Sequence, residues 1–191
     1  MKRLLILFLC GVFSLSFVAC KDKSQPPRGG STFPSGAAGR EGELSALNKI
    51  VANDPTNVKA YVAMGNIYFD TNRNADAVTA YKKALELNPD DPNVRTDMGV
   101  CLKRLGRIDE AVSEFKKASR SDPRHFQSRY NLGVTLLQNK KDLRGALSTW
   151  EALVRDIPQF PGREGLITQI KSLKSKEITG TPVMGEKNKG K

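Results

Sequence analysis

Residues 64–89 read MGNIYFDTNRNADAVTAYKKALELNP, and residues 98–123 read MGVCLKRLGRIDEAVSEFKKASRSDP. Laid one over the other without a gap, the two stretches keep their small residues in step. Gly65, Gly99 and Gly133 stand 34 residues apart, preceded by Met64, Met98 and Leu132. Ala77 and Ala111 keep that interval, as do Tyr81 and Phe115, Ala84 and Ala118, and Pro89 and Pro123. Pro55 lies one interval before Pro89. A third copy slips by one residue, placing Ala146, Trp150, Leu153 and Pro158. The extra residue fits the polar run Asn139-Lys140-Lys141-Asp142, because a surface turn tolerates a change of length. A fixed period of this size marks a stack of supersecondary units.

Each unit reads as two helices. Val58, Tyr61, Met64, Gly65 and Tyr68 fall on one helical face. Asp70-Thr71-Asn72-Arg73-Asn74 breaks the pattern, with Asn74 placed to cap the second helix. Ala77, Tyr81, Ala84 and Leu85 then line one face. Pro89 cannot continue that helix, Asp91 can cap the next one, and Pro92 suits its first turn. A glycine in mid-helix costs about 1 kcal/mol against alanine, so Gly65 needs a packing reason. Gly65 and Ala77 let the two helices of a pair approach, and Ala84 admits the next unit. Tyr81, Phe115 and Trp150 are expected to fill the space between units. No pair buries its apolar face alone; stacking buries it.

The run Leu105-Gly106-Arg107-Ile108-Asp109-Glu110-Ala111-Val112, carried through to Asp122-Pro123, resembles the tetratricopeptide repeat. The resemblance spans Val58 to Pro158 as three units, 58–91, 92–125 and 126–160. It implies an all-α protein, a right-handed α-α superhelix. Residues 41–57, with Leu44, Leu47, Ile50 and Val51, look like the second helix of a truncated unit. Residues 161–176, with Leu166, Ile167, Ile170 and Leu173 on one side and Lys171, Lys174 and Lys176 outward, look like a capping helix. The total is about eight helices over 41–176. Two departures stand out: Arg95 and Arg129 replace the aromatic Tyr61, and Leu153 replaces Ala84 and Ala118. The third unit is therefore expected to pack less tightly.

The ends have another character. Lys2 and Arg3 precede an apolar run from Leu4 to Val18, too short to span a bilayer comfortably and of signal-peptide length. It closes on Phe17-Val18-Ala19-Cys20, which resembles the lipobox of bacterial lipoproteins. That resemblance implies cleavage after residue 19 and lipidation of Cys20. The expected place is the cell envelope, with the periplasmic face of the outer membrane favoured by Lys21 in a Gram-negative cell. Residues 20–40 are rich in Pro, Gly and Ser and read as a flexible tether. Residues 177–191, with Lys187, Lys189 and Lys191, read as a disordered basic tail. Cys101 would be the only thiol left and reads as a small buried apolar group.

The net charge is +11, and it belongs to the C-terminal half. Such asymmetry suits an acidic protein, an anionic surface or a solvated helical face. Lys116, Lys117, Arg120 and Arg124 offer an anion-binding patch. The chain has a single histidine, His125, so histidine metal clusters are excluded and a catalytic triad is disfavoured. No phosphate-binding glycine loop or paired-cysteine motif occurs. The reading is a non-enzyme without cofactor or metal, and without nucleic-acid partner.

In the repeat family, ligands meet the first helix of each pair. The resemblance carries that role onto Lys59, Val62, Asn66, Phe69 and Asp70 in unit one. It carries it onto Asn93, Thr96, Val100, Lys103 and Arg104 in unit two, and onto Gln127, Tyr130, Val134, Leu137 and Gln138 in unit three. Val62, Phe69, Val100, Tyr130, Val134 and Leu137 are expected to be partly exposed, as in a groove for a peptide or helix. Val62, Tyr130 and Val134 stand where a carboxylate clamp would need other residues, so no such clamp is expected. The functional expectation is a membrane-anchored scaffold that binds a protein or peptide and helps assemble or localise an envelope complex. Two other expectations are a polyanion- or membrane-surface-binding module and a periplasmic holdase.

Overall fold

The computed structural model describes residues 37–179. The signal segment, Cys20, most of the tether and residues 180–191 lie outside them. Among the described residues there are eight helices and no strand. They run α1 (Ala37–Asn53), α2 (Val58–Asp70), α3 (Asn74–Leu87), α4 (Pro92–Arg104), α5 (Ile108–Ser121), α6 (Phe126–Gln138), α7 (Leu143–Asp156) and α8 (Arg163–Thr179). α1 starts four residues before the expected Glu41, and α8 runs three residues past Lys176. Glu177, placed in the tail by composition, is helical and its Oε1 accepts from Arg144 Nε on α7 at 3.4 Å.

Caps explain where the first helices start. Asn57 Oδ1 accepts from the Ala60 N–H at 3.0 Å, and Asp91 Oδ1 accepts from Asn93 and Val94 at 2.9 and 3.0 Å. His125 serves α6 in the same way. The second helices α3 and α5 differ, whereas Asp142 Oδ1 caps α7 by accepting from the Gly145 N–H at 2.8 Å. Asn74 does not cap α3 but is its first residue, and its side chain donates to the Asn72 carbonyl. Arg73 and Arg107 precede α3 and α5 without a side-chain cap. The turn inside each hairpin instead carries one left-handed residue. These are Asn72 (φ 59°), Gly106 (φ 75°) and, one residue later because of the insertion, Lys141 (φ 57°). Asparagine and glycine accept this conformation readily, whereas lysine adopts it at a cost.

The three mid-helix glycines have a single explanation. A Cβ built on Gly99 would lie 2.7 Å from Phe115 Cε1, and Gly65 and Gly133 would meet Tyr81 and Trp150 more closely still. Each aromatic ring lies against the glycine of its own hairpin's first helix. The rings therefore lock the hairpin itself as well as filling the space between units. Tyr81, Phe115 and Trp150 are all fully buried. Tyr81 Oη donates to Asn66 Oδ1 at 2.8 Å, and Trp150 Nε1 donates to the Tyr130 carbonyl at 3.1 Å. Burying such polar ends without partners would be costly.

Each helix packs on the next in order. Beyond that, α2 touches α4 and α4 touches α6, while no second helix touches another second helix among the described residues. The first helices thus form an inner layer and the second helices a spread outer layer. The core is continuous through α2–α6, around Ala77, Tyr81, Met98, Cys101 and Phe115. It continues in a cluster of α7 and α8 around Trp150, Leu153, Leu166 and Ile170.

The replacement of Tyr61 by arginine has a structural meaning. Arg95 donates to Glu114 Oε2 on α5 at 2.7 Å and to the Pro89 carbonyl. Arg129 donates to Asp156 Oδ2 on α7 at 2.8 Å and to the Pro123 carbonyl at 3.2 Å. Both guanidinium groups are largely buried. In unit one Tyr61 faces no such carboxylate, because Ala80 occupies the place of Glu114. Each arginine ties the preceding turn to the second helix of its own hairpin.

Leu153 marks the looser junction. Where Ala84 and Ala118 let the following helix come close, the fully buried Leu153 side chain holds α8 off. α8 accordingly packs through Leu166, Ile170 and Leu173 into a cluster with α7, against which side chains of α6 also rest.

Candidate interaction surface

The proposed ligand-facing residues lie on α2, α4 and α6, the three helices of the inner layer. Lys59, Asp70, Asn93, Arg104 and Gln138 are exposed. Val62, Asn66, Lys103, Gln127, Tyr130, Val134 and Leu137 are half-buried. Phe69, Thr96 and Val100 are buried, at 6%, 3% and 7% exposure. Phe69 and Val100 were expected to be partly open. They are covered because neighbouring first helices touch, which seals the positions facing along the inner layer. Arg104 completes the cover on Phe69, with its guanidinium 4.3 Å from the ring centroid, a cation–π distance. Arg104 also reaches Asn74 Oδ1 on α3 at 3.4 Å and so bridges units one and two.

What remains open is polar at one end and apolar at the other. Around α2 and α4 the surface offers Lys59, Asp70, Asn93, Lys103 and Arg104. On α6 it offers the half-open Tyr130, Val134 and Leu137, which pack on one side against the α7–α8 cluster. Tyr130 is stacked on Trp150 at 6.2 Å between centroids, so its ring is held in place before any ligand arrives.

His125, which sequence reasoning set aside as a boundary residue, joins the units beneath this surface. Its Nδ1 accepts from the Ser128 N–H at 3.3 Å, and Nε2 lies 3.1 Å from Asn93 Oδ1 on α4. An accepting Nδ1 leaves the hydrogen on Nε2, which donates to Asn93. The first bond needs the neutral ring, whereas the second would survive protonation. Burial lowers the His125 pKa below its ordinary 6.5, against the opposing pull of Asp122 and Asp91. The signal that could have found it is its place two residues after Pro123, at the cap of a first helix.

Among the described residues, no group of three or more His, Cys, Asp and Glu side chains could hold a metal ion. No described helix is long and apolar enough to cross a membrane. Cys101 is fully buried in the core and forms no disulfide. The cationic cluster of the sequence sits on the outer layer: Lys116, Lys117 and Arg120 on α5 and Arg124 after it are exposed, with Lys117 paired to Glu114 at 2.7 Å.

Models of the tetratricopeptide repeat match residues 65–106 and 96–162. The crystal structure of MamA superposes with a TM-score of 0.64 at 19% identity, covering 75% of this chain and 85% of that one. A structure of MamA AMB-1 gives 0.54 at 29% identity, covering 62% and 69%. The TPR2B domain of yeast Sti1, solved in complex with pHsp70, gives 0.56 at 20% identity, covering 63% and 97%. No curated protein sequence matches the chain.

Proposed function

We propose that this chain, whose residues 65–162 carry tetratricopeptide repeats, is a non-enzymatic scaffold that captures a protein or peptide segment on its inner layer. The observation that carries the reading is the contact of α2 with α4 and α4 with α6. That contact gathers residues spaced 34 apart onto one continuous surface. The segment bound would be extended or helical. Its apolar side chains would lie against Tyr130, Val134 and Leu137, and its polar groups against Asn93, Lys103 and Arg104. A Sti1 domain of the same fold is found with pHsp70, which supports a peptide-binding role for the inner layer.

The remainder of the proposal concerns place. Cys20 carries acyl chains after removal of residues 1–19, and two or more chains give stable anchoring. Residues 21–36 then hold the helical array off the membrane, and the scaffold serves assembly or localisation of an envelope complex. Crosslinking in intact cells, followed by mass spectrometry, tests both parts. Tyr130→Ala combined with Arg104→Glu should lose a partner that the wild type captures, and an unchanged capture list would remove the inner layer as the site. Cys20→Ser should leave the membrane fraction or accumulate as precursor; unchanged fractionation and acyl labelling would remove the anchor.

A second reading rests on the exposure of Lys116, Lys117, Arg120 and Arg124: a polyanion or anionic membrane docks on the outer layer. Charge reversal at these four should abolish binding to anionic vesicles under this reading and spare partner capture under the first.

A further inference from the structure

We infer that the trough between α7 and α8 is a second docking surface, separate from the inner layer, for a short acidic amphipathic helix of a partner protein. The trough exists because the repeat changes at its end. First helices bury Ala60, Val94 and Ser128 at one position and Met64, Met98 and Leu132 at another. The turn before α8, residues 157–162, is two residues longer than the turn before α6, residues 122–125, so α8 enters in a shifted register and buries Leu166, Ile170 and Leu173. Arg163 and Ile167 are left only partly covered beside α7. An open cleft of about 450 Å³ is left between the two helices.

The walls specify the occupant. The floor is apolar, made by Val154, Pro158, Ile167 and Ile170. The rim holds Arg155, Arg163, Lys171 and Lys174 beside Glu151, with Arg155 paired to the adjoining Asp156 and Arg163 to Glu164, so the two lysines are its main attraction for an anion. Arg163 Nε is buried without a hydrogen-bond partner, although its Nη1 meets Glu164 at 3.0 Å. Lys174 pairs with Glu151 across the trough, so an incoming carboxylate exchanges with Glu151 for the same ammonium group. From Arg163 to Lys174 the wall extends about 16 Å at 1.5 Å per residue, which accommodates about three helical turns. Apolar side chains at i, i+3 or i+4, and i+7 then reach the floor while flanking carboxylates meet the rim. The chain's own residues 180–191, with three lysines and one glutamate, have the wrong charge for this rim.

The test uses the full-length chain and a fluorescent helical peptide bearing leucines on one face and glutamates on the other. Its control carries glutamine in place of each glutamate. Fluorescence anisotropy should show the acidic peptide binding about tenfold tighter than its control, because the rim charges are complementary. Lys171→Glu with Lys174→Glu should weaken the acidic peptide about tenfold or more. Ile167→Asp should weaken both peptides. Lys116→Glu with Arg120→Glu, the same change in charge on α5, should leave binding within about twofold if the attraction is local. Equal weakening by the α5 pair would overturn the proposal in favour of general charge attraction. Loss through Lys103→Glu with Arg104→Glu alone would also overturn it, by placing the peptide on the inner layer and leaving the proposed function intact. Vesicles of anionic lipid that bind through Lys171 and Lys174 while the peptide does not would overturn it in favour of a membrane contact.

Discussion

The inside of a hairpin and the junction between hairpins obey different rules in this molecule. Inside, an aromatic ring presses on a glycine in all three units, and only the ring changes, from Tyr81 to Phe115 to Trp150. Between hairpins the contact is renegotiated each time. Ala84 and Ala118 admit the next helix after a short turn, whereas at Leu153 a longer turn brings in α8 through Leu166, Ile170 and Leu173. Backbone-to-ring contact tolerates no added atom, whereas side chains meeting side chains can trade volume. The hairpin is therefore the rigid unit and the junction the adjustable one.

Four experiments bear on that contrast, from the largest expected effect downward. Trp150→Ala should cost about 3–5 kcal/mol, as for a fully buried aromatic in a well-packed core. Thermal or denaturant unfolding measures it, and a loss below about 1 kcal/mol would mean that hairpin three is not locked by its ring. Glu114→Ala should cost about 2–3 kcal/mol, because it leaves the largely buried Arg95 guanidinium without its carboxylate. Adding Arg95→Tyr rebuilds the Tyr61–Ala80 arrangement of unit one and should recover most of that loss. No recovery would show that the first and second hairpins are not interchangeable at this point.

The third experiment probes a junction. Because burial lowers the His125 pKa, the unfolded chain takes up the proton first as the pH drops. The neutral ring's contribution is full above its ordinary 6.5 and is lost as the pH falls through the folded value. Wild-type stability should therefore fall between pH 7.5 and 5.5 more steeply than that of His125→Asn, which keeps a capping side chain. Parallel curves would deny that His125 links α4 to α6 in its neutral form. The smallest effect should come from the hairpin turn: Lys141→Gly relieves a left-handed lysine and should add up to about 1 kcal/mol. A loss instead would mean that the bond from Lys141 Nζ to the Gln138 carbonyl outweighs the backbone strain.

The same contrast explains what could be read without coordinates. Gly65, Gly99 and Gly133 recur because their backbone contact admits no other residue, so the fold and the helix count were legible from them. The slip at Asn139–Asp142 was legible because a turn absorbs length without disturbing a helix. The burial of Phe69 and Val100 was not. It depends on how closely neighbouring first helices approach along the inner layer, which no single unit's pattern encodes. The α7–α8 trough escaped notice for a related reason: Arg163 and Lys171 look like solubilising charges on a capping helix. Only the longer turn before α8, which shifts its register along α7, puts them beside an apolar floor. Glu114 was not legible, because the arginine opposite it looked like a lost aromatic rather than half of a pair.

The asymmetry between the two layers has a mechanical corollary. With contacts running along α2, α4 and α6 but absent among α3, α5 and α7, the array resembles a bound book whose spine lies on the inside. Its pages can fan or close by small rotations at Ala84, Ala118 and Leu153 without breaking a hairpin. A ligand gripping the spine at two units would set the spread of the pages. Occupancy on the inner face would then be felt as a change of spacing on the opposite cover, where Lys116 and Arg120 stand.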